Sequence, residues 1–329
     1  MGKHLVQVTV AICTWNRSRL LDQTLSQMRK LGIPRDVEWE VLVVNNNCTD
    51  DTDTVIARHA DALPIRRLFE PKPGLSHARN CAVEAAAGAW IIFTDDDVLV
   101  DHEWLASYAN AMKSCGPSVA FLGGAIVPWF PESPDPALMK AVSQVRDGFC
   151  ARAVPGDLKI ARGSSYLPFG ANFAIRLDAS QNCRFDPAFG VVGTRRILGE
   201  ECLFMMRLLD HGFEGRWVQD ASVMHYVDPA RLRRAALSRA LKDAGRTSAR
   251  AGMELQGRFR VCGLPVWSYR AIVEGALHLV LPLSWFTNRV RYYSAFRDFW
   301  YYSGYMNEFF LGGRNQSSLA ASSNGRADR

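Results

Sequence analysis

Trp90-Ile91-Ile92-Phe93-Thr94-Asp95-Asp96-Asp97 is the stretch on which the reading of this chain turns. Four apolar residues that favour extended backbone run directly into three consecutive carboxylates. A short unbroken apolar run reads as a strand buried on both faces, as in a sheet with helices above and below it. The acids then fall at the strand's carboxyl end, where open α/β sheets place their ligands. Three adjacent like charges repel one another, and a divalent cation with oxygen ligands would relieve the conflict. The structural alternative is a solvated acidic turn, with Asp101 capping the helix that follows.

On the amino-terminal side, Val6, Val8, Val10 and Ile12 alternate and reach Cys13-Thr14-Trp15-Asn16-Arg17, a first strand ending in a polar loop. Leu20, Leu21, Leu25, Met28 and Leu31 follow at helical spacing. A second apolar strand over 40–44 runs into Asn45-Asn46-Asn47-Cys48-Thr49-Asp50-Asp51. A helix over 52–59, a strand over 65–69 and an Ala-rich helix over 77–87 complete this side. On the carboxyl side the pattern predicts a helix over 102–113 and a strand over 119–127. A proline-rich loop over 128–136 offers Trp129 and Phe130 as an aromatic wall. Next come a loop entering a strand over 169–176 and a helix opening at Leu198-Gly199-Glu200-Glu201. Two short strands, 216–218 and 222–226, close this part. Paired acids in a first helical turn suit the helix dipole. Alternating strands and helices with short connections predict right-handed βαβ units and a parallel sheet. The first strand-to-helix loop lacks G-x-G-x-x-G, which argues against ordinary dinucleotide binding.

The 329 residues are 48% hydrophobic and 22% charged, a globular balance, with a net charge of +6. That charge suits an anionic substrate or an acidic membrane surface; it is no nucleic-acid footprint. The eight cysteines are scattered without a C-x-x-C pair, so the expectation is reduced thiols in a cytoplasmic protein and no zinc site. The amino terminus enters a strand pattern without an apolar signal-peptide core. From Pro229 the chain becomes basic and helical. The apolar stretch 271–286 is interrupted by Glu274, His278 and Pro282 and is short for a membrane span. Over 289–310, arginines interleave with Tyr292, Tyr293, Phe296, Phe299, Trp300, Tyr301 and Tyr302. Two readings stay open for that stretch: a helix lying in the membrane interface, or a helical pair packed on the preceding domain. Residues 312–329 are Ser/Asn/Gly-rich and read as a disordered tail.

Taken together, Thr14-Trp15-Asn16-Arg17, Val43 to Asp50, Gly74-Leu75-Ser76-His77-Ala78-Arg79-Asn80, Asp95-Asp96-Asp97, Gly170-Ala171-Asn172 and Gly199-Glu200-Glu201 resemble the family 2 inverting glycosyltransferases of bacterial polysaccharide and glycolipid synthesis. The resemblance runs from Val8 to near Tyr226. It implies a GT-A, Rossmann-like nucleotide-sugar-binding domain with a mixed central sheet over 1–228. A basic and aromatic helical extension over 229–311 and the tail would follow. The implied activity moves a sugar from a nucleoside-diphosphate sugar, UDP foremost, to a hydroxyl of a glycan or lipid-linked acceptor. The chain would work in the cytoplasm, with the inner face of the plasma membrane as a possible docking surface.

Carried over residue by residue, the resemblance makes Asp95 and Asp97 ligands of Mn²⁺ or Mg²⁺, with His225 as a further ligand or a core histidine. Lys72, Arg79 and Asp96 would serve the donor, and Thr14, Asn16, Arg17, Asn45 and Asn46 its base. Asn172 and Trp129 would line the sugar and acceptor pocket. Glu201 would be the general base, with Glu200 orienting it. The chain departs from the family pattern in carrying asparagines at 45–47 where aspartates are usual, and in ending its acidic motif with Glu201 rather than Asp. Asp50 is either the missing carboxylate or a helix-start residue. Two other functions compete. A sugar-phosphate nucleotidyltransferase would carry a Gly-rich loop after the first strand, absent at 13–17; a catalytically silent scaffold at the membrane would not keep Arg79, Asp95, Asp97 and Glu201 together.

Overall fold

The computed structural model describes residues 6–312, apart from 142–144, 146–148, 155, 165, 193–194 and 282. The tail expected to be disordered lies almost wholly outside the described residues. The chain divides into two compact units, one of residues 1–129 and 150–226, the other of residues 130–149 and 227–329.

The first unit is built on β1 (Val6–Thr14), α1 (Ser18–Met28), β2 (Val37–Asn45), α2 (Thr52–His59), β3 (Ile65–Phe69), α3 (Leu75–Ala85), β4 (Trp90–Asp95), β5 (Val98–Val100), α4 (Trp104–Ser114) and β6 (Val119–Trp129). In the second unit, α5 spans Pro136–Ala141. The first unit resumes with β7 (Lys159–Ile160), β8 (Asn172–Arg176), β9 (Gly190–Val192), β10 (Arg195–Ile197), α6 (Glu200–Asp210) and β11 (Glu214–Tyr226).

Its sheet runs β3-β2-β1-β4-β8-β6-β11-β5, with β7 also on β11. The sheet is mixed rather than parallel. The first four strands are parallel, β8 enters antiparallel between β4 and β6, and β11 runs parallel to β6. The two late strands expected from sequence are one long strand, with a register irregularity between Val218 and Val223. The apolar run of β4 is buried on both faces, as its composition demands. On one face Val10, Ile12, Val43 and Ile92 pack with Leu21, Leu25, Val55, Trp104 and Tyr108. On the other, Phe93 stacks on Phe173 at 5.0 Å, and Phe185 joins them to Phe204 of α6, which it stacks on at 4.5 Å.

The second unit continues with α7 (Arg234–Arg250), β12 (Arg260–Val261), β13 (Leu264–Pro265), α8 (Val266–Val280), α9 (Leu283–Thr287) and α10 (Arg289–Asn307). Its core gathers Leu138, Phe149, Val227, Leu237, Leu241, Tyr292, Tyr293 and Phe296. The aromatic rings of α10 therefore face this unit's own interior and do not form an outward amphipathic face. Trp285 caps them, with the Arg234 guanidinium 4.1 Å above its ring. Glu308 is buried and accepts from Arg246 and Arg250, which offsets its desolvation.

Candidate active site

The rim of the sheet is set by register. β1, β2 and β4 are parallel, with Thr14 opposite Asn45 and Cys13 opposite Asp95, so their carboxyl ends share one edge. β6 and β11 end on the same edge with Trp129 opposite Tyr226. The acidic triplet forms the turn between β4 and β5. β5 pairs antiparallel with β11, His225 opposite Val98, and the Tyr226 amide donates to the Asp97 carbonyl at 2.9 Å. That three-residue strand brings a histidine more than a hundred residues away against Asp97.

The three acids have separate environments. Asp96 turns inward, accepting from Thr14 Oγ1 at 2.7 Å and Arg17 Nη1 at 2.7 Å. Burial is the main reason its pKa is pushed up to about 7, Arg17 opposing and Asp97 adding to the rise. Asp97 takes Arg17 Nη2 on Oδ2 at 2.6 Å. Its other oxygen, Oδ1, is buried, accepts no hydrogen bond among the described residues, and lies 3.4 Å from His225 Nε2. Asp95 is half-buried, and desolvation first, then Asp97, raises its pKa. One ligand atom each from Asp95, Asp97 and His225 lie within 4.8 Å of one another. Two carboxylates and an imidazole, one oxygen without a donor, are a donor set that fits a divalent cation such as Mn²⁺.

Beside this group sits a second charged cluster. The Arg79 guanidinium is buried among the rings of Phe93, Phe173 and Phe185. It donates to Glu200 Oε1 at 2.5 Å and to the Gly170 carbonyl at 3.1 Å, and it stands 3.9 Å from both Asp95 Oδ1 and Glu201 Oε2. A Cβ at Gly170 would come within 2.5 Å of Arg79 Nη2, so the chain needs glycine there. α6 begins at Gly199 with φ of +95°, left-handed backbone that glycine adopts without strain. Burial, then the charge of Glu201, pushes Glu200 up to about 7, with Arg79 opposing. Glu201 is also raised, by burial first, and its Oε1 accepts from the Gly170 amide at 3.1 Å.

Several expected roles change. Asn172 does not line a pocket: it is fully buried, accepting from Trp104 Nε1 and Tyr108 OH and donating to the Ala125 and Ala221 carbonyls, each at 2.7–2.9 Å. Its valences are spent riveting α4 to β6 and β11. Asn45 and Asn46 do not present free amide edges to a base. Asn45 binds Asp53 and the Cys48 amide, and Asn46 ties the Glu70 and Lys72 carbonyls to the Gly74 amide. Asp50 accepts from the Ser18 and Thr52 amides, joining the starts of α1 and α2. Arg79 lies under the carboxylates rather than open to a diphosphate. Arg17 spans Asp96 and Asp97 while its side chain remains 44% exposed.

Asn16, in left-handed backbone at φ +52°, accepts from the Thr49 amide, and Lys72 is exposed. Trp129 is half-buried, edge-on to Tyr226 at 5.6 Å. Tyr226, against Trp129, and Trp15, 46% exposed in the loop after β1, lie on this rim without having been among the expected site residues. Sequence reasoning also missed β5, whose signal was the apolar Val98-Leu99-Val100 directly after the acids.

A family model described as glycosyl transferase family group 2 matches residues 90–312, and one described as glycosyl transferase family 2 matches residues 9–139. The chain belongs to the family 2 glycosyltransferases. It is 31% identical over 144 residues to the validoxylamine A glucosyltransferase of Streptomyces hygroscopicus subsp. limoneus, covering 43% of this chain and 31% of that protein. It is 24% identical over 136 residues to the succinoglycan biosynthesis protein ExoM of Rhizobium meliloti, covering 41% and 43%. The matches thus span under half the length of these relatives. Among solved structures, the mannosyltransferase PcManGT from Pyrobaculum calidifontis, in complex with GDP-Man and Mn²⁺, superposes with a TM-score of 0.59 at 18% identity, over 93% of this chain and 87% of that one. S. aureus TarS 1-349 in complex with UDP-GlcNAc gives 0.52 at 14%, over 92% and 91%. These likenesses establish the GT-A fold.

Proposed function

We propose that this chain transfers a sugar from a nucleoside-diphosphate sugar, a UDP-sugar first among them, to a hydroxyl of a glycan or lipid-linked acceptor, inverting the anomeric centre. The reading places catalysis in residues 1–228, with 229–311 as an extension working at the membrane's inner face. The observation that carries it is the meeting, on one rim, of the Asp95–Asp97–His225 ligand atoms with the Arg79–Glu200–Glu201 cluster. TarS with bound UDP-GlcNAc and the mannosyltransferase with GDP-Man and Mn²⁺ share this fold and support the donor class.

Asp95, Asp97 and His225 would hold Mn²⁺ or Mg²⁺, which supplies Lewis-acid stabilisation of the departing diphosphate. Arg17 braces Asp97 through Oδ2, so that Oδ1 stays turned toward His225. With Lys72, Arg17 is an exposed cation for the phosphate oxygens. Asn16 and Thr14 shape the base loop rather than read the base. Arg79 engages Glu200, and this leaves Glu201 to take the proton from the acceptor hydroxyl as the new C–O bond forms. Glu201 as the one carboxylate given a proton-transfer role, Glu200 being held by Arg79 and Asp96 by Thr14 and Arg17, suits one displacement, unlike the paired catalytic carboxylates of retaining sugar hydrolysis. Trp129, with Tyr226 at its edge, offers the acceptor an aromatic wall on the same rim.

The test is a panel of UDP-, GDP- and dTDP-sugars with Mn²⁺ or Mg²⁺, reading release of nucleoside diphosphate. One donor class is expected to turn over and to stop with EDTA. Neither binding nor turnover with any donor would overturn the reading.

A further inference from the structure

The second unit carries an outward apolar face. On α8 and the turn into α9, Val273, Leu277, Val280, Leu281 and Phe286 stand between 55% and 81% exposed. On α8 their spacing of three and four residues keeps them in one stripe along the helix. The acid within this stretch, Glu274, is paired with Arg270 at 2.6 Å. The opposite side of α8 is occupied: a Cβ at Gly275 would meet Phe299 at 2.7 Å and the Ala295 carbonyl at 2.8 Å. So α8 is seated on α10 through its small residues and presents its large ones to solvent. Apolar patches of this kind mark a binding surface on proteins that must otherwise stay soluble.

Charge indicates what covers it. Residues 227–312 hold 13 Arg and Lys against 6 Asp and Glu, whereas residues 1–226 hold 23 against 26. The positive excess of the whole chain therefore belongs to the part that carries the stripe. Arg289 and Arg291 follow Phe286 within five residues and are exposed. No helix among the described residues is long and apolar enough to cross a membrane.

We propose that α8 and α9 lie on an anionic lipid bilayer, the stripe immersed among acyl chains and the arginines on lipid phosphates. Half-exposed apolar side chains flanked by cations combine the two contributions that interfacial helices use, burial of apolar area and attraction to acidic headgroups. A second copy of this chain would bring the same net positive unit, with Arg291 and the Asp135-paired Arg289 beside the stripe and no unpaired acid among the described residues of the stripe to meet them, which favours an anionic surface over self-association. The inference rests on the membrane-side part of the function proposed above for its meaning, but its observations and test need no sugar transfer.

The test is flotation of the full chain with vesicles of phosphatidylcholine and phosphatidylglycerol in about equal parts, against phosphatidylcholine alone. The chain is expected to float with the mixed vesicles only, and less as salt rises toward about 0.5 M. Leu277→Ser with Phe286→Ser, both at exposed positions, should lower the bound fraction about tenfold, while Asp97→Ala should float like the parent. The inference is overturned if the parent stays at the bottom of the gradient or if the double variant floats equally well. A parent dimer in light scattering that the double variant converts to monomer would also overturn it, by giving the stripe to a second copy. Floating without turnover, or turnover without floating, separates this inference from the transfer reading.

Discussion

Arg79 is the buried charge on which the neighbouring carboxylates depend, so replacing it with Met has a pH signature. Met keeps an apolar stem among Phe93, Phe173 and Phe185. It removes the 2.5 Å contact to Glu200, the donation to the Gly170 carbonyl, and a positive charge 3.9 Å from Asp95 and Glu201. At about pH 8, above the pH of about 7 at which Glu200 titrates beside Arg79, removal of the cation leaves that buried carboxylate either ionised and unpaired or driven to take up a proton, and breaking a buried pair costs about 3–5 kcal/mol. At about pH 5 a proton neutralises Glu200, and the loss shrinks to that of hydrogen bonds, about 1–2 kcal/mol.

The direction follows from proton counting. Glu200 titrates at about 7 in the folded chain against 4.5 in the unfolded one, so the folded state binds more protons across that window. Its contribution to stability therefore falls as pH rises from 4.5 to 7, and loss of Arg79 carries the fall to higher pH. Urea unfolding of parent and Arg79→Met, both treated with EDTA, is the assay. The destabilisation should be larger by about 2 kcal/mol at the higher pH, and adding Glu200→Gln should recover most of that difference. Equal destabilisation at the two pH values would refute the assignment of Arg79 as counterion.

Other outcomes follow from the same geometry. Asn172→Ala strands two buried donors and the buried Ala221 carbonyl, with the part-buried Ala125 carbonyl beside them, so it should cost about 3 kcal/mol or more of unfolding free energy; a loss under about 1 kcal/mol would show that the rivet carries no weight. Glu201→Gln should lower the transfer rate by about 10²–10⁴-fold while donor binding in a thermal-shift titration holds, and an unchanged rate would remove Glu201 as base. Glu200→Gln leaves Arg79 with one acceptor-side carboxylate, so the acid limb of the rate profile should move to lower pH; a limb that stays in place would uncouple the two glutamates.

The sequence made the amino-terminal half of the sheet legible because β2 over 41–44 and β4 over 90–93 are unbroken apolar runs, a pattern that a strand buried on both faces sustains. It also placed the acids at the strand end. β8, entering antiparallel at the centre, was not legible as to direction, since Asn172-Phe173-Ala174-Ile175 reads the same either way along a ladder. β5 is three residues long, below the length at which alternation is visible, yet it sets His225 against Asp97. The asparagines show a different limit. A polar residue at a strand's end has the same composition whether it greets a ligand or ties its own loop, and only the hydrogen-bond partners of Asn45, Asn46 and Asn172 separate the two. The α10 aromatics were ambiguous for a related reason: nothing in their order tells which core their apolar sides meet.

The account depends on Asp97 presenting Oδ1 to a cation alongside Asp95 and His225. Titration of Mn²⁺ into the protein with UDP present, read by the electron paramagnetic resonance of the free ion, tests this most directly. One Mn²⁺ should bind the parent, and Asp97→Ala should weaken it at least about tenfold and abolish sugar transfer in parallel. Equal Mn²⁺ affinity in the variant, with undiminished product, would contradict it.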